Sequence, residues 1–316
     1  FVKAISEHTG VAGDRIIVGN GTTELLYLIT RVLQAKRALI PVPSYIDYIR
    51  AATLGGLPVT TFIMPESDDF ALDCAALADA IRPGDLVIIA TPNNPTGRTV
   101  NRDALLALFA TCPESFFLID EAFLDFQEER QTLGDTAANV LTLNSMTKFY
   151  GVPGLRIGYA ILPSPLAQLV RDNQPPWTVN SLAQQFAIMA LRDKEYQSKT
   201  RQSCHELRDQ LINGLAEFPH LKVYPSVANY LFVKILSGDG VEPLAAFCLQ
   251  HGIMIRKCSN YVGLDDSFFR IAVRNSQENK QLLEVLHLFY PIKTHKRAAQ
   301  KKCSLDYAPR HLFGCR

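Results

Sequence analysis

A chain of 316 residues with 47% hydrophobic and 20% charged residues has the composition of an ordinary globular protein and is long enough for two domains. Its net charge of +1 gives no sign of a nucleic-acid or membrane partner, and no apolar run approaches the ~20 residues that span a bilayer. Seven cysteines, an odd number without repeated short spacing, argue against a disulfide framework and predict a reducing, cytoplasmic location.

Short apolar runs alternate with amphipathic segments in the first half of the chain. The predicted strands are residues 15–18, 38–42, 59–63, 86–90, 116–119, 140–143 and 157–162. The predicted helices between them are residues 24–33, 46–54, 72–81 and 102–111. Strands that are apolar throughout and separated by helix-length segments are typical of a mostly parallel sheet covered on both faces. We therefore predict an α/β fold with a seven-stranded sheet.

The second half begins with a long helical pattern over residues 181–218. After it, strands are predicted at residues 222–224, 230–235, 254–257 and 269–273, and helices at residues 241–250 and 277–289. So many elements in so short a segment predict a smaller α/β domain. The expected division is a large domain (1–185), a small C-terminal domain (186–290) and a tail (291–316).

Two segments rich in turn residues follow predicted strands. In VGNGTTEL, Gly21 allows a close turn, and the N–H groups of Thr22 and Thr23 begin a helix, which suits a phosphate or a simple helix cap. In ATPNNPTGRTV, Asn93 and Asn94 are expected to project into the crevice beyond the strand ends. An amide there can bind a ring hydroxyl or phenolate, and an ordinary turn is the alternative.

Two charged residues also follow apolar strands. Asp120 comes directly after four apolar residues in FFLIDEAFLDF, and a buried carboxylate needs a partner such as a protonated ring nitrogen. A helix cap is the alternative. Lys148 stands eight residues before Arg156 in LNSMTKFYGVPGLRIGYAI. A partly desolvated lysine near another cation has a lowered pKa, as an amine nucleophile requires, whereas a solvated lysine or an anion contact is the alternative.

The segments GNGTTE, TPNNPTG, IDEAF and SMTKFYGVPGLRIGY, in this order, resemble the cofactor-binding motifs of the fold-type-I pyridoxal-phosphate enzymes. The resemblance is to the branch that includes histidinol-phosphate aminotransferases, and it extends from residue 5 to residue 290. It implies that the cofactor is pyridoxal 5'-phosphate. It also implies a large domain with a mostly parallel seven-stranded sheet and a smaller α/β C-terminal domain.

The resemblance gives the catalytic roles to Lys148 and Asp120. Lys148 would form a Schiff base with the cofactor and later move a proton, while Asp120 would pair with the pyridine nitrogen. The other expected cofactor contacts are Asn94 with the phenolic oxygen, Tyr45 stacked on the ring, and Gly21, Thr22, Thr23, Ser145 and Arg156 around the phosphate. The expected substrate-binding residues are Asn229, Arg256, Arg270 and Arg274, with Arg270 placed for the carboxylate.

Phe123 departs from the aminotransferases, which usually carry at this position a tyrosine that bonds the cofactor oxygen. The motif DEAF and the stretches QPPWTVNSLAQ, YPSVANYLFVK and CSNYVGLDDSFFRIAVRNSQEN resemble the threonine-phosphate decarboxylases of cobalamin biosynthesis. That resemblance implies decarboxylation of L-threonine O-3-phosphate to (R)-1-amino-2-propanol O-2-phosphate. The alternatives are a histidinol-phosphate aminotransferase or another aminotransferase, a serine-phosphate decarboxylase, and a non-catalytic binding protein of the same fold.

Residues 293–316 hold seven Lys or Arg residues and the single acid Asp306, so we predict a solvated basic tail. The tail offers three candidate metal ligands, but their spacing lacks a CxxC pair, and we expect no metal site. These residues are Cys303, His311 and Cys315. The family implies a homodimer and an N-terminal segment that contacts substrate and partner. Because the chain starts at Phe1, we expect that segment to be missing.

Overall fold

The computed structural model describes residues 1–290, which form two β-sheets with helices packed against them. The strands are β1 Ile16–Gly19, β2 Arg37–Val42, β3 Val59–Ile63, β4 Asp85–Ala90, β5 Phe116–Asp120, β6 Val140–Ser145, β7 Gly158–Ile161, β8 Leu221–Val223, β9 Tyr230–Ile235, β10 Arg256–Lys257 and β11 Phe268–Ala272. The helices are α1 Val2–Thr9, α2 Gly21–Val32, α3 Asp47–Leu54, α4 Cys74–Ala80, α5 Arg102–Thr111, α6 Met146–Phe149, α7 Ser164–Asn173, α8 Ser181–Arg192, α9 Lys194–Leu215, α10 Glu242–Gln250 and α11 Ser276–Phe289.

The large sheet has the strand order β1-β7-β6-β5-β4-β2-β3. Neighbouring strands from β3 to β6 are parallel, whereas β7 runs antiparallel to both β6 and β1. The prediction of an α/β fold with a mostly parallel seven-stranded sheet is therefore confirmed. The short apolar runs of the sequence form these strands because both faces of the sheet are covered by helices.

Each central strand contributes to two hydrophobic clusters, because successive side chains point to opposite faces of the sheet. In β4, Leu86 and Ile88 pack in a cluster with α2, α3 and α7. Val87 and Ile89 pack in another with α4 and α5. Because both faces are buried, every residue of β4 after the first is apolar.

Several polar residues meet at one edge of the large sheet. The strands β4, β5 and β6 end there at Ala90, Asp120 and Ser145, and the turn from β1 into α2 brings Gly21 to the same edge. In open parallel sheets, ligands bind beyond the carboxyl ends of the strands. The fold thus brings the sequence motifs together where this rule expects a site.

The small sheet is antiparallel, with the order β10-β11-β9-β8. One face packs against α9, α10 and α11. The other face presents Phe232 and Phe268 to Phe70, which follows β3 of the large sheet. Lys234 also pairs with Glu66 at 2.8 Å, next to this aromatic cluster. The small sheet is thereby held against the segment after β3, and the domain boundary at residues 185 and 186 stays a prediction.

The long helical pattern over residues 181–218 is two helices rather than one. The break falls at Asp193, whose side chain accepts a hydrogen bond from the N–H of Tyr196 at 2.9 Å and so caps α9. The N–H of Asp193 still donates to the carbonyl of Met189, which ends α8. An aspartate at a helix N-terminus satisfies free backbone donors, so a second helix begins after Asp193.

No helix within residues 1–290 is both long and apolar enough to cross a membrane. The same range contains no group of three or more His, Cys, Asp or Glu side chains that could hold a metal ion. The candidate ligands Cys303, His311 and Cys315 lie outside the described residues.

Gly97 permits a close contact between the loop after β4 and the loop before β9. Its φ is +74°, and a Cβ on it would stand 2.2 Å from Oγ of Ser226. We expect Gly97→Ala to lower the free energy of unfolding by about 2–4 kcal/mol in urea titrations. Gly252→Ala is the control, because Gly252 has a φ of +76° with no atom within 4 Å. It should cost only about 1–2 kcal/mol, and equal losses in both variants would contradict the prediction.

Candidate active site

A cavity of about 470 Å³ opens at the carboxyl edge of the large sheet, and residues of the small sheet also line it. The predicted site residues that line it are Gly21, Thr22, Thr23, Tyr45, Asn94, Asp120, Phe123, Ser145, Lys148, Arg156, Asn229, Arg256 and Arg270. Among residues 1–290, two of the predicted residues do not line this cavity, Asn93 and Arg274. The prediction for Asn93 is wrong because its Nδ2 is bonded away from the cavity, to the carbonyl of Pro43 and Oγ1 of Thr96. Arg274 follows the end of β11. Its guanidinium instead pairs with the carboxylate of Glu278 at 2.9 Å, one turn along α11.

Asp120 ends β5 as a buried carboxylate. Oδ2 accepts a hydrogen bond from the hydroxyl of Tyr48 at 2.6 Å, and Oδ1 accepts one from the N–H of Ala122 at 2.8 Å. Burial raises the pKa of Asp120, and these two bonds, together with the charge of Lys148, act in the opposite direction. The carboxylate therefore has its hydrogen bonds but, within residues 1–290, no cation at ion-pair distance, which suits it to receive a cationic ligand atom.

Lys148 lies in the short helix α6 directly after β6, and its side chain is exposed to the cavity. Desolvation by the surrounding protein lowers the pKa of its ammonium, and the charges of Arg156 and Arg270 lower it further, while Asp120 raises it. A larger fraction of the amine is therefore neutral at neutral pH than in a free lysine. That is the form that can attack a carbonyl carbon.

Gly21 and Arg156 form one end of the cavity. Gly21 begins α2 with a φ of +78°, and a Cβ on it would stand 2.6 Å from Nη2 of Arg156. The guanidinium thus lies against the first turn of α2, where Thr22 and Thr23 also line the cavity. Free N–H groups at a helix N-terminus, hydroxyls and a guanidinium together make an anion-binding site.

Two buried hydroxyls lie beside this anion-binding end. Ser145 Oγ and Thr147 Oγ1 are 3.0 Å apart, and both residues line the cavity. Ser145 pairs with Gly158 across β6 and β7, and a Cβ on Gly158 would stand 3.0 Å from the backbone nitrogen of Thr22. The glycine therefore lets the end of β6 approach the first turn of α2, which places the hydroxyls near its N–H groups.

Asn94 is held by two groups from the small sheet side of the cavity. Its Oδ1 accepts hydrogen bonds from the guanidinium of Arg270 and, at 3.2 Å, from the hydroxyl of Tyr261. Within the described residues, its Nδ2 makes no hydrogen bond and remains available as a donor. This is the group that the sequence prediction assigns to the phenolic oxygen of the cofactor.

Aromatic rings form part of the cavity wall. The hydroxyl of Tyr45 donates to Asp47 at 2.7 Å, and its ring meets that of Tyr48 edge-on at 5.5 Å. The half-buried ring of Phe123 meets the ring of Tyr230 edge-on at 5.0 Å. Phe123 offers the cavity no hydroxyl, so hydrogen bonding at this point depends on Asn94.

Arg256 is exposed at the mouth of the cavity. Its Nη1 donates to the carbonyl of Lys257 at 2.8 Å and its Nη2 to Oδ1 of Asn260 at 3.0 Å. No carboxylate lies within ion-pair distance of it in the part of the chain that the structure describes. Asn229, whose carbonyl accepts from the N–H of Val273 at 2.9 Å, also lines the cavity.

Four cavity residues with polar side chains escaped the sequence prediction: Tyr48, Thr147, Tyr230 and Tyr261. Two carried a readable signal, because Tyr48 stands three residues after Tyr45 on a predicted helix and Thr147 directly precedes Lys148. The other two carried none, because their partners Asn93 and Asn94 lie in a loop far away in the sequence.

The cavity fits pyridoxal phosphate by the chemistry of its residues. The contact between Gly21 and Arg156 supplies a cradle for a phosphate that any Cβ would fill. Asp120 supplies a buried carboxylate for a ring nitrogen, and Lys148 supplies an amine of lowered pKa for an aldehyde. Asn94 would hold a phenolic oxygen.

Gly21→Ala should displace the guanidinium of Arg156 and so weaken the binding of the cofactor phosphate. We expect the dissociation constant for pyridoxal phosphate to rise about ten-fold or more, and that for pyridoxal, which lacks the phosphate, to change far less. Absorbance titration of the apo-protein measures both. Gly10→Ala is the control, because Gly10 has the same φ of +78° and no atom within 4 Å. An equal loss of affinity for pyridoxal phosphate and for pyridoxal would contradict a phosphate site here.

Tyr48→Phe should raise the pKa of Asp120 further, because a hydrogen bond to the charged form favours ionisation. We expect affinity for pyridoxal phosphate to fall about ten-fold, since a hydrogen bond to a charged group contributes about 1.5–3 kcal/mol. Tyr224→Phe removes an equivalent bond, 2.7 Å to Glu66, outside the cavity and should leave the affinity unchanged. Unchanged affinity in Tyr48→Phe would show that Asp120 does not depend on this bond.

Comparison with known proteins gives consistent matches over almost the whole chain. The model for class I and II aminotransferases matches residues 1–286. The threonine-phosphate decarboxylase of Salmonella typhimurium is 35% identical over 292 residues, which are 90% of this chain and 79% of that protein. A histidinol-phosphate aminotransferase of Methanococcus aeolicus is 31% identical over 293 residues, with the same two coverages of 90% and 79%.

A solved structure agrees with these matches. The crystal structure of L-threonine-O-3-phosphate decarboxylase from Porphyromonas gingivalis superposes with a TM-score of 0.81 at 26% identity, over 92% of this chain and 87% of that one. The chain therefore belongs to the class I and II aminotransferase family, whose fold-type-I members use pyridoxal phosphate as cofactor.

Proposed function

We propose that this protein is a pyridoxal-phosphate-dependent decarboxylase that converts L-threonine O-3-phosphate to CO2 and (R)-1-amino-2-propanol O-2-phosphate in cobalamin biosynthesis. The observation that carries the proposal is the charge of the cavity. Four cations line it, Lys148, Arg156, Arg256 and Arg270, and the only acid among the described lining residues is Asp120. The threonine-phosphate decarboxylases among the relatives support the same reading.

The four cations divide naturally between cofactor and substrate. Arg156 serves the cofactor phosphate at the start of α2, and Lys148 serves the cofactor aldehyde. Arg256 and Arg270 remain, and neither has a carboxylate partner within residues 1–290. These two guanidiniums match a substrate with two anionic groups, because each can bind a carboxylate or phosphate through paired N–H donors. Threonine phosphate carries both groups, whereas histidinol phosphate carries a phosphate and no carboxylate.

The residues of the chain divide the work of decarboxylation among them. The bound cofactor supplies an electron sink for the pair of electrons left when CO2 departs. Asp120 would hold a positive charge on the ring nitrogen, and Arg270 would hold the substrate carboxylate. As a neutral amine, Lys148 Nζ would bind the cofactor aldehyde, and once the substrate amine has displaced it, Nζ would be free to return a proton to Cα. One C–C bond breaks and one C–H bond forms, so the reaction needs no oxidant.

Ile46 and Met254 add an apolar element to the cavity mouth. Both line the cavity, and their exposed fractions are 38% and 87%. Apolar contact at this position favours the methyl group of threonine phosphate over the hydrogen of serine phosphate. A single methyl group contributes only about 1–3 kcal/mol, so we expect serine phosphate to be a slower substrate rather than none.

A histidinol-phosphate aminotransferase is the second candidate, and the match to the Methanococcus aeolicus enzyme favours it. The two reactions differ in which bond of the substrate is broken. Phe123 supports the decarboxylase, because the aminotransferases usually carry a tyrosine at this position. The two functions separate experimentally, since only the aminotransferase consumes 2-oxoglutarate.

We also propose that the protein is cytoplasmic and forms a homodimer. The large domain of each subunit would end at residue 185. Exposed apolar side chains on α8 and shortly before it support the assembly. Trp177, Leu182 and Met189 are exposed by 95%, 77% and 72%, and the last two lie two turns apart on one face of α8. Exposed apolar residues in one region are typical of an interface between subunits. Sedimentation of the purified protein as a monomer at micromolar concentration would contradict the dimer.

The substrate proposal predicts CO2 release from L-threonine O-3-phosphate, slower release from serine phosphate, and none from histidinol phosphate. The assay uses the protein with pyridoxal phosphate and follows CO2 together with the phosphorylated amine. Lys148→Ala should abolish release, because no other lysine lines the described cavity. Lys199→Ala is the control, since Lys199 is an exposed lysine paired with Glu195. Glutamate formation from 2-oxoglutarate with histidinol phosphate, without CO2 release, would replace the decarboxylase by the aminotransferase.

A further inference from the structure

Tyr230 is a buried tyrosine that has no role in the function proposed above. It begins β9, is 4% exposed, and lines the cavity beside Asn229. The register of the small sheet pairs Tyr230 with Ala272 and Phe232 with Arg270. Paired residues of an antiparallel sheet share a face, so Tyr230 and Arg270 are diagonal neighbours on the same face. The sheet itself therefore brings the tyrosine ring to the arginine.

The hydroxyl of Tyr230 fixes the ring to the large sheet. It donates to the carbonyl of Asn93 at 2.8 Å. Asn93 is held in turn, because its Nδ2 donates to the carbonyl of Pro43 and to Oγ1 of Thr96, both at 2.9 Å. Burial raises the pKa of Tyr230, so the phenol stays protonated and remains a donor. The ring is thus fixed at both ends, by its own strand and by the loop after β4.

Arg270 lies over this ring. Its guanidinium carbon is 4.7 Å from the centroid of Tyr230, and its only hydrogen-bond acceptor among the described residues is Oδ1 of Asn94. No carboxylate within residues 1–290 pairs with it. The face of an aromatic ring attracts a guanidinium electrostatically. It does not accept hydrogen bonds from the N–H groups that point outward in the plane of the guanidinium. The remaining donors of Arg270 are therefore left for a ligand.

Phe123 also packs against the ring of Tyr230. Its ring meets that of Tyr230 edge-on, with an angle of 82° between the planes. Phe123, which follows β5, and Arg270 of β11 therefore both contact the same tyrosine ring. A phenylalanine at this position brings no second hydroxyl that could compete for the donors of Arg270.

We propose that Tyr230 is a positioning residue that holds the guanidinium of Arg270 in the direction needed to bind the substrate carboxylate. The inference rests on the proposed function, in which Arg270 binds that group. An aliphatic residue in place of Tyr230 gives the guanidinium no electrostatic support. It would then turn toward solvent, and carboxylate binding would weaken. Phenylalanine would keep the supporting face and lose only the hydrogen bond to Asn93.

The experiment compares two ligands of the holoenzyme that differ at the carboxylate. L-threonine O-3-phosphate carries this group, and (R)-1-amino-2-propanol O-2-phosphate lacks it. Tyr230→Leu should raise KM for the substrate about ten-fold and change the inhibition constant of the product by less than about two-fold. Tyr230→Phe should change KM by less than about three-fold, because the ring face remains.

Two controls separate positioning from general loss of packing. Tyr224→Leu removes another buried tyrosine of the small sheet region and should leave both constants unchanged. Tyr230→Leu added to Arg270→Gln should raise KM no further than Arg270→Gln alone, because the two residues act through one contact. If Tyr230→Leu does not fold, Tyr230→Met supplies an unbranched side chain that adapts to an irregular space, also without an aromatic face, and serves the same comparison.

Equal changes in the two constants, or no change in either, would overturn the role of Tyr230. A wild-type holoenzyme that releases no CO2 from threonine phosphate would contradict the proposed function instead. In that case absorbance titration gives the dissociation constants of both ligands without turnover. If Tyr230→Leu weakens the affinity for the carboxylate-bearing ligand alone, the positioning role is still supported. Equal losses of affinity for the two ligands would still overturn it.

Discussion

The hydroxyl of Tyr48 donates to the buried carboxylate of Asp120 at 2.6 Å, and the rest of the site is arranged around that charge. A carboxylate at the end of a central strand is unfavourable unless its oxygens are hydrogen-bonded. The helix α3 supplies one donor, and the backbone turn after β5 supplies the other through Ala122. Both oxygens are thus satisfied without a fixed cation, so the negative charge remains available to a ligand atom. A lysine or arginine here would have neutralised it.

Positive charge on the opposite side of the cavity completes this arrangement. Arg156 and Arg270 both lower the pKa of Lys148, and each is placed to bind an anion. An anion bound to either guanidinium offsets the charge that acts on the lysine. The amine is therefore less basic before the substrate carboxylate reaches Arg270, which favours attack on the cofactor aldehyde. It becomes more basic once anionic groups are in place, which favours holding and returning a proton.

The sequence predicted the large sheet well because its strands are buried on both faces and read as uninterrupted apolar runs. All seven predicted runs overlap strands of the sheet, with ends that differ by at most two residues. The break at Asp193 was missed because the helical pattern continues through it, and the cap depends on a local side-chain bond. Most of the cofactor residues were recognisable because they lie in short motifs at or just after strand ends. Arg274 was predicted as a further cation for the substrate, yet it follows the end of β11 and pairs with Glu278.

The tyrosines of the substrate side could not be predicted, because their function depends on contacts between the two sheets. Tyr230 and Tyr261 acquire their partners from the loop after β4, and no periodicity within β9 or the loop before β11 indicates this. Cofactor contacts can thus be predicted from short sequence motifs, whereas substrate contacts depend on segments that are far apart in the sequence. Cofactor contacts lie within motifs that many reactions share, so those motifs do not reveal which bond is broken. That choice depends on how the substrate carboxylate is oriented, and Arg270 receives its orientation from Asn94, Tyr230 and the register of the small sheet.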